Sequence, residues 1–569
     1  MGFLSGVGLG GTLFPGVLWA KYQEQKEPTV SKEMIVEAEK ITGLEFTDEE
    51  REMMRQGLSR NLRSYAALRQ LEIPNDVPPA LLFEPVMPGI ETDPEGEQRP
   101  LRVSPQKVPA VSDDHEELAF LTVAQLGELL RTRKISSVEL TSMYLERLER
   151  FDPKLHFVVS RTEKLAMEQA ARADEEIAAG NYRGPLHGVP WGAKDLLAER
   201  DYPTTWGAAP YKEQLIYEDA TVVKRLEAAG AVLVAKLTMG ALAQGDYWFG
   251  GRTRNPWKIE QGSSGSSAGP GSATASGCVG FGIGTETRGS IVSPSTRNGV
   301  TGLRPTYGRV SRHGAMALSW SMDKIGPMCR SAEDCALVFS AIHGADGHDP
   351  SARTVPFNWD PYKPVQMLRV GYLASAFEEA ERYRNRAFDL DTLRVLRETI
   401  GLDLVPIELP DFPISALGFI LMAEAAAAFD ELTRSGRDDL LTRQNRGAWP
   451  NSFRTARFIP AVEYIQANRA RTIYMRHFSE TMRNIDVFVT PSFRGGVIGA
   501  TNLTGHPCVV VPNGFTEEGT PVSISFIGGL YKDAETLRLA HAFQQVTDFH
   551  LRHPDVDSQP MPATGYGKN

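Results

Sequence analysis

The sequence predicts an α/β protein whose β-strands are covered by helices on both faces. Short apolar runs of strand length recur at 231–235, 368–373, 486–490, 509–512 and 522–527, and helical patterns alternate with them. Strands that are buried on both faces read as continuous apolar runs, because helices exclude water from each side. The 569 residues, 41% of them hydrophobic and 23% charged, are typical of a globular protein with a full core.

Composition and charge argue against several classes of function. The formal net charge is −10 and no strong basic cluster occurs, so a nucleic-acid partner is not expected. The histidines show no metal-binding spacing, and we expect neither a metal nor a cofactor. The cysteines form no paired pattern, and we expect them to be small buried hydrophobes: Cys278, Cys329, Cys335 and Cys508.

The amino terminus is an apolar leader that spans residues 1–20. Its apolar run is interrupted by Pro15 and ends at the small residue Ala20, which is typical of an export signal and not of a stable membrane span. No Lys or Arg precedes the run, although export signals usually begin with basic residues. We expect an exported protein, with a cytoplasmic location as the alternative.

Residues 21–114 are predicted to form an accessory extension that is helical first and proline-rich afterwards. A Thr-x-x-Glu pattern at Thr47–Glu50 is typical of a capped helix start. Nine prolines occur from Pro74 to Pro109, counting both, and exclude regular helix and most sheet. The catalytic domain is therefore expected to cover 115–569.

Two capped helices open this main domain. Thr122–Gln125 and Ser136–Glu139 each carry the residue types of a capping box. A third helix is predicted at 221–229, where Gly230 ends it. In the second helix, apolar residues recur at spacings of four and three and should face the core: Leu140, Tyr144, Leu148 and Phe151.

Residues 374–480 are more helical than the rest and rich in large side chains, which predicts a variable, substrate-facing region. Its aromatic residues either pack in the core or line a pocket for an aromatic or extended apolar substrate. They are Phe419, Phe429, Trp449, Phe453, Phe458, Tyr464 and Tyr474.

The segment 262–276 is rich in Gly and Ser, a composition typical of flexible linkers. The residues that follow argue against a linker, because Val279, Phe281 and Ile283 alternate with glycines as in a buried strand. The glycines are therefore interpreted as sites where backbone segments approach closely.

Several separate blocks in this order resemble the amidase signature family of serine hydrolases. The resemblance extends over roughly residues 117–555. The blocks are Gly188-Val-Pro-Trp-Gly-Ala-Lys194-Asp195, Pro203-Thr-Thr-Trp-Gly207, Asn255-Pro256-Trp257, the serine-rich segment with Ser266 and Ser290, Asn502-Leu-Thr-Gly505-His-Pro507 and the tail Ala540–Asp548.

The resemblance implies a mixed sheet of about eleven strands between helical layers, and it implies a catalytic triad. Ser290 stands at the position of the nucleophile, and Lys194 at that of the general base. Ser266 stands at the position of a bridging serine held by a cis peptide bond, 24 residues before Ser290 and eleven after Asn255.

The chemistry of these residue types agrees with the assignment. A serine hydroxyl needs a base to accept its proton as it attacks, and a lysine can serve only when it is neutral. Lys194 must therefore be desolvated or lie near other positive charge. Backbone N–H groups are expected to form the oxyanion hole: Thr287, Arg288, Gly289 and Ser290.

We therefore predict an amidase that hydrolyses a small-molecule carboxylic amide to acid and amine through an acyl-enzyme on Ser290. Ester or carbamate hydrolysis by the same triad is a neighbouring alternative. A second alternative resembles the A subunit of a tRNA-dependent amidotransferase, and a third is a binding or scaffold protein that has lost activity. A homo-oligomer is an open expectation.

The sequence departs from the family's pattern at several positions around the triad. Arg288 stands where glycine is usual, and it either borders the oxyanion hole or turns away into a salt bridge. Glu286 replaces an aspartate, Val292 replaces an arginine, and 263–265 replaces Pro-Gly-Gly. The run after Lys236 lacks an Asn and an acidic residue. These departures leave the triad intact and leave the substrate open.

Overall fold

The computed structural model describes residues 30–68, 70, 74–77, 79, 81–88, 96–111, 115–378 and 384–561. The predicted leader lies outside these residues, so its export stays a prediction. The chain divides into two compact units, Met1–Val77 and Pro78–Asn569. The functional boundary expected near residue 114 stays a prediction.

Among its described residues, the smaller unit contains two helices, α1 (Lys32–Thr42) and α2 (Asp48–Leu68). The predicted cap of α2 is confirmed, because the Thr47 N–H donates to the Glu50 carboxylate at 2.6 Å and the Glu50 N–H to Thr47 Oγ1 at 3.3 Å. A salt bridge of 2.8 Å between Arg51 and Glu39 joins the two helices.

The larger unit is organised by one mixed sheet of eleven strands, which confirms the expected sheet. Its strands are β1 (Val158–Arg161), β2 (Pro190–Lys194), β3 (Val232–Leu237), β8 (Phe281–Glu286), β9 (Thr301–Arg304), β10 (Lys324–Cys329), β11 (Val370–Leu373), β12 (Leu404–Ile407), β13 (Val487–Pro491), β14 (Cys508–Phe515) and β15 (Pro521–Gly528). Their order in the sheet is β1-β3-β2-β8-β10-β9-β14-β15-β13-β11-β12. Two short hairpins stand apart: β4 (Tyr247–Trp248) with β5 (Gly251–Arg252), and β6 (Arg254–Asn255) with β7 (Lys258–Gly262).

Helices flank this sheet, and every residue of β2, β3, β8, β9 and β10 is buried. Complete burial of a strand requires cover on both faces, as the sequence predicted. The helices are α3 (Val123–Arg131), α4 (Ser137–Leu155), α5 (Glu163–Ala178), α6 (Thr221–Ala228), α7 (Ala268–Ala275), α8 (Val292–Asn298), α9 (Ala332–Ile342), α10 (Ala374–Glu378), α11 (Arg386–Arg394), α12 (Phe419–Ala428), α13 (Asp430–Arg434), α14 (Trp449–Ala456), α15 (Ala461–Met482), α16 (Val497–Thr504) and α17 (Asp533–Gln545).

The capped helix starts are confirmed. Both α3 and α4 begin with complete capping boxes, from Thr122 to Gln125 and from Ser136 to Glu139. The predicted apolar stripe of α4 is buried. The four cysteines are buried free thiols, as expected from their spacing.

The glycine- and serine-rich segment contains a helix that the sequence analysis does not predict. All eight residues of α7 are buried. A Cβ atom at Gly269 would lie 2.5 Å from the backbone nitrogen of Thr238, closer than real Cβ contacts, so the glycine lets the helix approach that backbone. This confirms the prediction of close backbone approach and excludes a flexible linker here.

The proline-rich segment packs against the rest of the larger unit. Within the described residues from 74 to 111 there is no helix or strand, as the prolines predict. Polar contacts join the segment to the body: Gln98 Nε2 donates to the Phe357 carbonyl at 2.8 Å, and the Ser104 N–H to Glu333 at 2.8 Å. Among the helices that the structure describes, none is long and apolar enough to cross a membrane.

The capping box of α4 offers a test of local stability. Replacing Ser136 by alanine removes the acceptor of the Glu139 N–H and should lower the free energy of unfolding by about 1 kcal/mol. Urea unfolding followed by tryptophan fluorescence measures this change. Ser479→Ala, at a partly exposed position inside α15, is the matched control. It removes only a hydrogen bond to the Arg476 carbonyl of the same helix, and alanine favours the helix, so it should not lower the midpoint. Equal midpoints for both variants would contradict the cap's contribution.

Candidate active site

The predicted triad residues meet at one edge of the sheet. Strands β2 and β8 are parallel neighbours, with Ala193 paired to Ile283, so their carboxyl ends lie side by side. Lys194 is the last residue of β2, and Thr285 is the last but one of β8. Parallel pairing therefore brings the predicted base next to the loop that carries Ser290.

Lys194 is completely buried among hydroxyl groups. Its Nζ atom lies 2.8 Å from Ser266 Oγ, 2.8 Å from Thr285 Oγ1 and 3.1 Å from Ser267 Oγ. Burial lowers the pKa of Lys194 to about 7, although the carboxylates of Asp323 and Glu286 act in the opposite direction. The amine is thus neutral in a large fraction of molecules at neutral pH.

The hydroxyl of Ser267 is already committed to a backbone pair. It donates to the Thr285 carbonyl at 3.1 Å and accepts the Thr285 N–H at 3.1 Å. A neutral lysine has two N–H donors and one lone pair. When Lys194 directs its two N–H donors at Thr285 and Ser267, its lone pair can accept the hydroxyl proton of Ser266.

The peptide bond between Gly265 and Ser266 is cis, as the resemblance implies. A Cβ atom at Gly265 would overlap the carbonyl oxygen of Gly245, so only glycine fits before Ser266. The Gly240 N–H donates to the Ser266 carbonyl at 3.3 Å and holds the segment from the other side.

Ser290 lies directly beside this segment and is half-buried. The Ser267 N–H donates to the Ser290 carbonyl at 3.2 Å, which places the residue after Ser266 against the predicted nucleophile. Gly289 has a φ of 99°, which favours glycine at this sharp turn. In the part of the chain that the structure describes, the N–H groups of Arg288, Gly289 and Ser290 have no hydrogen-bond partner.

The buried carboxylate of Glu286 anchors the turn that follows Ser290. One oxygen, Oε2, accepts the N–H groups of Ile291 and Val292 at 2.9 Å each. The other, Oε1, accepts from Arg304 and Asn502 at 2.8 Å each. Burial would raise the pKa of Glu286, but Arg304, Asn502 and the backbone donors hold it at about 2. The ionised carboxylate thus connects β9, α16 and the predicted nucleophile turn.

Arg288 forms no salt bridge with any residue that the structure describes, which favours the expected position beside the predicted oxyanion hole over the expected salt bridge. Its side chain is exposed, and no described carboxylate lies within ion-pair distance. The guanidinium approaches Gly418 and Gly499, with nitrogens 3.3 and 3.4 Å from where a Cβ atom would stand at each. It borders an open cleft of about 330 Å³.

The other departures also have structural consequences. Lys236 is buried, and its Nζ lies 3.2 Å from Asp195 Oδ1 and 2.8 Å from Thr204 Oγ1. Asp195 follows Lys194 directly, so this buried pair holds the end of β2. At Val292, where the arginine is missing, a guanidinium still reaches the turn, because Arg304 binds Glu286 from β9.

Four residues of the site were not singled out by the sequence. The Lys194 amine contacts Ser267 and Thr285, and the carboxylate of Asp323 raises the pKa of Lys194. The fourth residue, Arg304, is the counter-charge of Glu286. Arg304 lies within the block Gly-Leu-Arg-Pro, and this pattern could have indicated that Arg304 belongs to the site. Asp323 accepts from Thr287 Oγ1 at 2.6 Å, and no local pattern indicates this contact, because 36 residues separate the two.

Most of the aromatic residues singled out in the region 374–480 are buried in the core. Phe429, Trp449, Phe453 and Tyr474 are buried, as in the packing interpretation. Phe458 is exposed. The region reaches the cleft beside Arg288 through Ile414 and Ser415. Its wider role toward substrate stays a prediction.

Comparison with known proteins agrees with this geometry. The family model described as Amidase matches residues 139–496. The chain belongs to the amidase signature family. A Mycobacterium tuberculosis protein named as an amidase, AmiD, is 35% identical over 479 residues, which cover 78% of this chain and 98% of that protein.

Two further proteins are similar to this amidase signature enzyme over most of its length. The A subunit of the glutamyl-tRNA(Gln) amidotransferase of Roseiflexus castenholzii is 33% identical and covers 77% of this chain and 98% of its own length. The crystal structure of native peptide amidase from Stenotrophomonas maltophilia superimposes with a TM-score of 0.69 and 28% identity, covering 78% of this chain and 100% of that one.

Replacing Glu286 by glutamine tests the anchor of the turn. The amide cannot accept all four donors and leaves Arg304 buried without a counter-charge, so we expect a loss of about 3–5 kcal/mol in the free energy of unfolding, measured by urea titration. Glu286→Asp retains the charge and should lose less. Only the ionised Glu286 carboxylate stabilises the fold. Its contribution to the free energy of unfolding is therefore present above the unfolded-state pKa near 4.5 and is lost as pH falls toward 2.

Glu518→Gln is the matched control for that experiment. Glu518 also binds two cations, Lys258 and Arg384, but it is exposed, where ion pairs contribute little. If both glutamine variants unfold at the same urea concentration, burial of the Glu286–Arg304 pair does not stabilise the fold.

Proposed function

We propose that this amidase signature enzyme hydrolyses a carboxylic amide to acid and amine, with Ser290 as nucleophile, Ser266 as proton relay and Lys194 as general base. The observation that carries the proposal is the buried amine of Lys194, 2.8 Å from Ser266 Oγ and with a pKa lowered to about 7. A neutral amine in this position can accept a proton without metal or histidine.

In the acylation step, Ser290 Oγ attacks the carbonyl carbon of the amide. Its proton passes to Ser266 Oγ, whose own proton passes to Lys194 Nζ. The C–O bond to Ser290 forms while the carbonyl π-electrons move onto oxygen. Collapse of this intermediate breaks the C–N bond, and the leaving nitrogen takes its proton from Ser266, which is reprotonated by Lys194.

The second half of the reaction releases the acid. Water attacks the ester carbonyl on Ser290 and gives its proton to the same relay. The C–O bond to Ser290 breaks, and the serine recovers its proton. Lys194 ends the cycle neutral, so no co-reactant is consumed.

Stabilisation of the oxyanion is assigned to the backbone N–H groups from Thr287 to Ser290. Three of them lack an intramolecular partner among the described residues, as donors reserved for substrate should. A preorganised donor of this kind is worth about 3 kcal/mol in comparable sites. Glu286 supports the arrangement, since it holds the first N–H groups after Ser290.

Two alternatives use the same residues. Esters and carbamates can form the same acyl-enzyme, and a substrate panel separates them from amides. The similarity to the A chain of an amidotransferase favours a second candidate, in which the site releases ammonia for a partner protein. Hydrolysis of simple amides by the purified chain alone would exclude dependence on such a partner.

The pH profile tests the general base. Since Lys194 must be neutral, kcat/KM should rise with pH through an apparent pKa near 7 and level off above it. The measurement is single-turnover amide hydrolysis from pH 5.5 to 9. A flat profile would contradict the assignment. Lys194→Arg, whose guanidinium stays charged, should lose most turnover at every pH in the range.

Ser290→Ala tests the nucleophile. We expect at least about a 10³-fold loss of kcat on any amide that the wild type cleaves. A fluorophosphonate probe should label the wild type at Ser290 and leave the variant unlabelled. Ser479→Ala is the serine control and should keep both labelling and turnover. Unchanged turnover in Ser290→Ala would refute the mechanism, and unlabelled wild type would favour an inactive scaffold.

A further inference from the structure

The cleft at Arg288 contains one charged side chain that the proposed reaction does not use. It is lined by Arg288, Ile414, Ser415, Phe493 and the segment 496–499. The walls are mostly apolar or glycine, and none of the lining residues is acidic. Arg288 is exposed, and it has no carboxylate partner among the described residues.

One lining residue of the cleft lies against the residue before Ser290. A Cβ atom at Gly289 would lie 3.5 Å from Ile498 Cγ2, and Ile498 is one of the lining residues. Arg288 itself is two residues from Ser290 along the chain. Two residues of chain span at most about 7 Å, so the backbones of Arg288 and Ser290 lie close together.

Helix α16 adds to the positive potential of the cleft. It begins at Val497, so its amino-terminal end, which carries a partial positive charge, lies in the same wall as the guanidinium. Arg288 lies next to Gly499 in the first turn of this helix. Both features favour an anionic ligand, and a guanidinium fork is suited to a carboxylate.

We propose that Arg288 binds a carboxylate on the acyl portion of the substrate, so that the enzyme prefers monoamides of dicarboxylic acids. This rests on the proposed amidase function. The acyl side is chosen because the leaving nitrogen must face Ser266, from which it receives its proton. Ser266 is held by Lys194 and Gly240, and neither lines the cleft at Arg288.

An isosteric pair of substrates tests the proposal. The anilides of succinic acid and isocaproic acid have acyl chains of the same shape and differ in a terminal carboxylate or isopropyl group. Wild type should show a higher kcat/KM for the succinic anilide. Arg288→Gln should reduce the ratio of the two kcat/KM values by about tenfold or more. Arg288→Lys should retain part of the preference.

Because Arg288 also supplies a backbone N–H to the oxyanion hole, the readout is the ratio of the two substrates and not the absolute rate. Lys134→Gln is the control for loss of one positive charge at an exposed residue that does not line the cleft. It should leave the ratio unchanged. Dissociation constants of both anilides for Ser290→Ala and Ser290→Ala/Arg288→Gln give the same comparison without turnover.

The outcomes separate the two proposals. If wild type cleaves both anilides and Arg288→Gln leaves their ratio unchanged, the carboxylate site is wrong and the amidase function stands. If wild type cleaves no amide in the panel, the amidase function fails and the inference falls with it. A second pair, the butyryl amides of β-alanine and isoamylamine, carries the charge on the amine. An Arg288-dependent preference in this pair alone would overturn the acyl assignment.

Discussion

Removal of Lys194 from water is the constraint on which the site depends. An exposed lysine is charged at neutral pH and cannot accept a proton, whereas complete burial lowers its pKa to about 7. Burial requires that both faces of β2 be covered and that hydroxyl groups replace water around Nζ, which Ser266, Ser267 and Thr285 do. The eleven-stranded sheet and its two helical layers supply the cover. The large core therefore contributes to catalysis, because it excludes water from the Lys194 amine.

A second buried charge links the scaffold to the nucleophile turn. Glu286 ends β8, receives Arg304 from β9 and holds the first two N–H groups after Ser290. Its position between strand, turn and α16 means that one ionised group sets the direction in which the turn leaves the sheet. Glu286 and Asp323 also act on Lys194, raising the pKa that burial lowers. The value near 7 is a balance between desolvation and these carboxylates.

Small side chains make the close packing of the site possible. The buried helix α7, built from glycine, alanine, serine, threonine and proline, approaches the backbone at Thr238, and Gly265 approaches that of Gly245. Larger residues would separate β3, β8 and the serine segment, and Lys194 would lose its hydroxyl partners. Arg288 differs from these small residues, because it is a long cation at the place where the turn meets solvent. Its side chain leaves the packed interior and enters the cleft.

Local sequence determined much of this protein. The capping boxes at Thr122 and Ser136 and the alternation of Val279, Phe281 and Ile283 depend on neighbouring residues, so they could be predicted. The spacing that selects Ser266 could be predicted from the resemblance. Helix α7 could not be predicted, because its glycines oppose helix formation and only burial among neighbouring strands stabilises it. The sequence also did not predict the contacts of Lys194 with Ser267 and Thr285, or the contact of Thr287 with Asp323. Each of these contacts joins segments that lie far apart in the chain. The direction of the Arg288 side chain was decided by tertiary structure. The position of α16, and the lack of a carboxylate beside Arg288 among the residues that the structure describes, exist only in the folded chain.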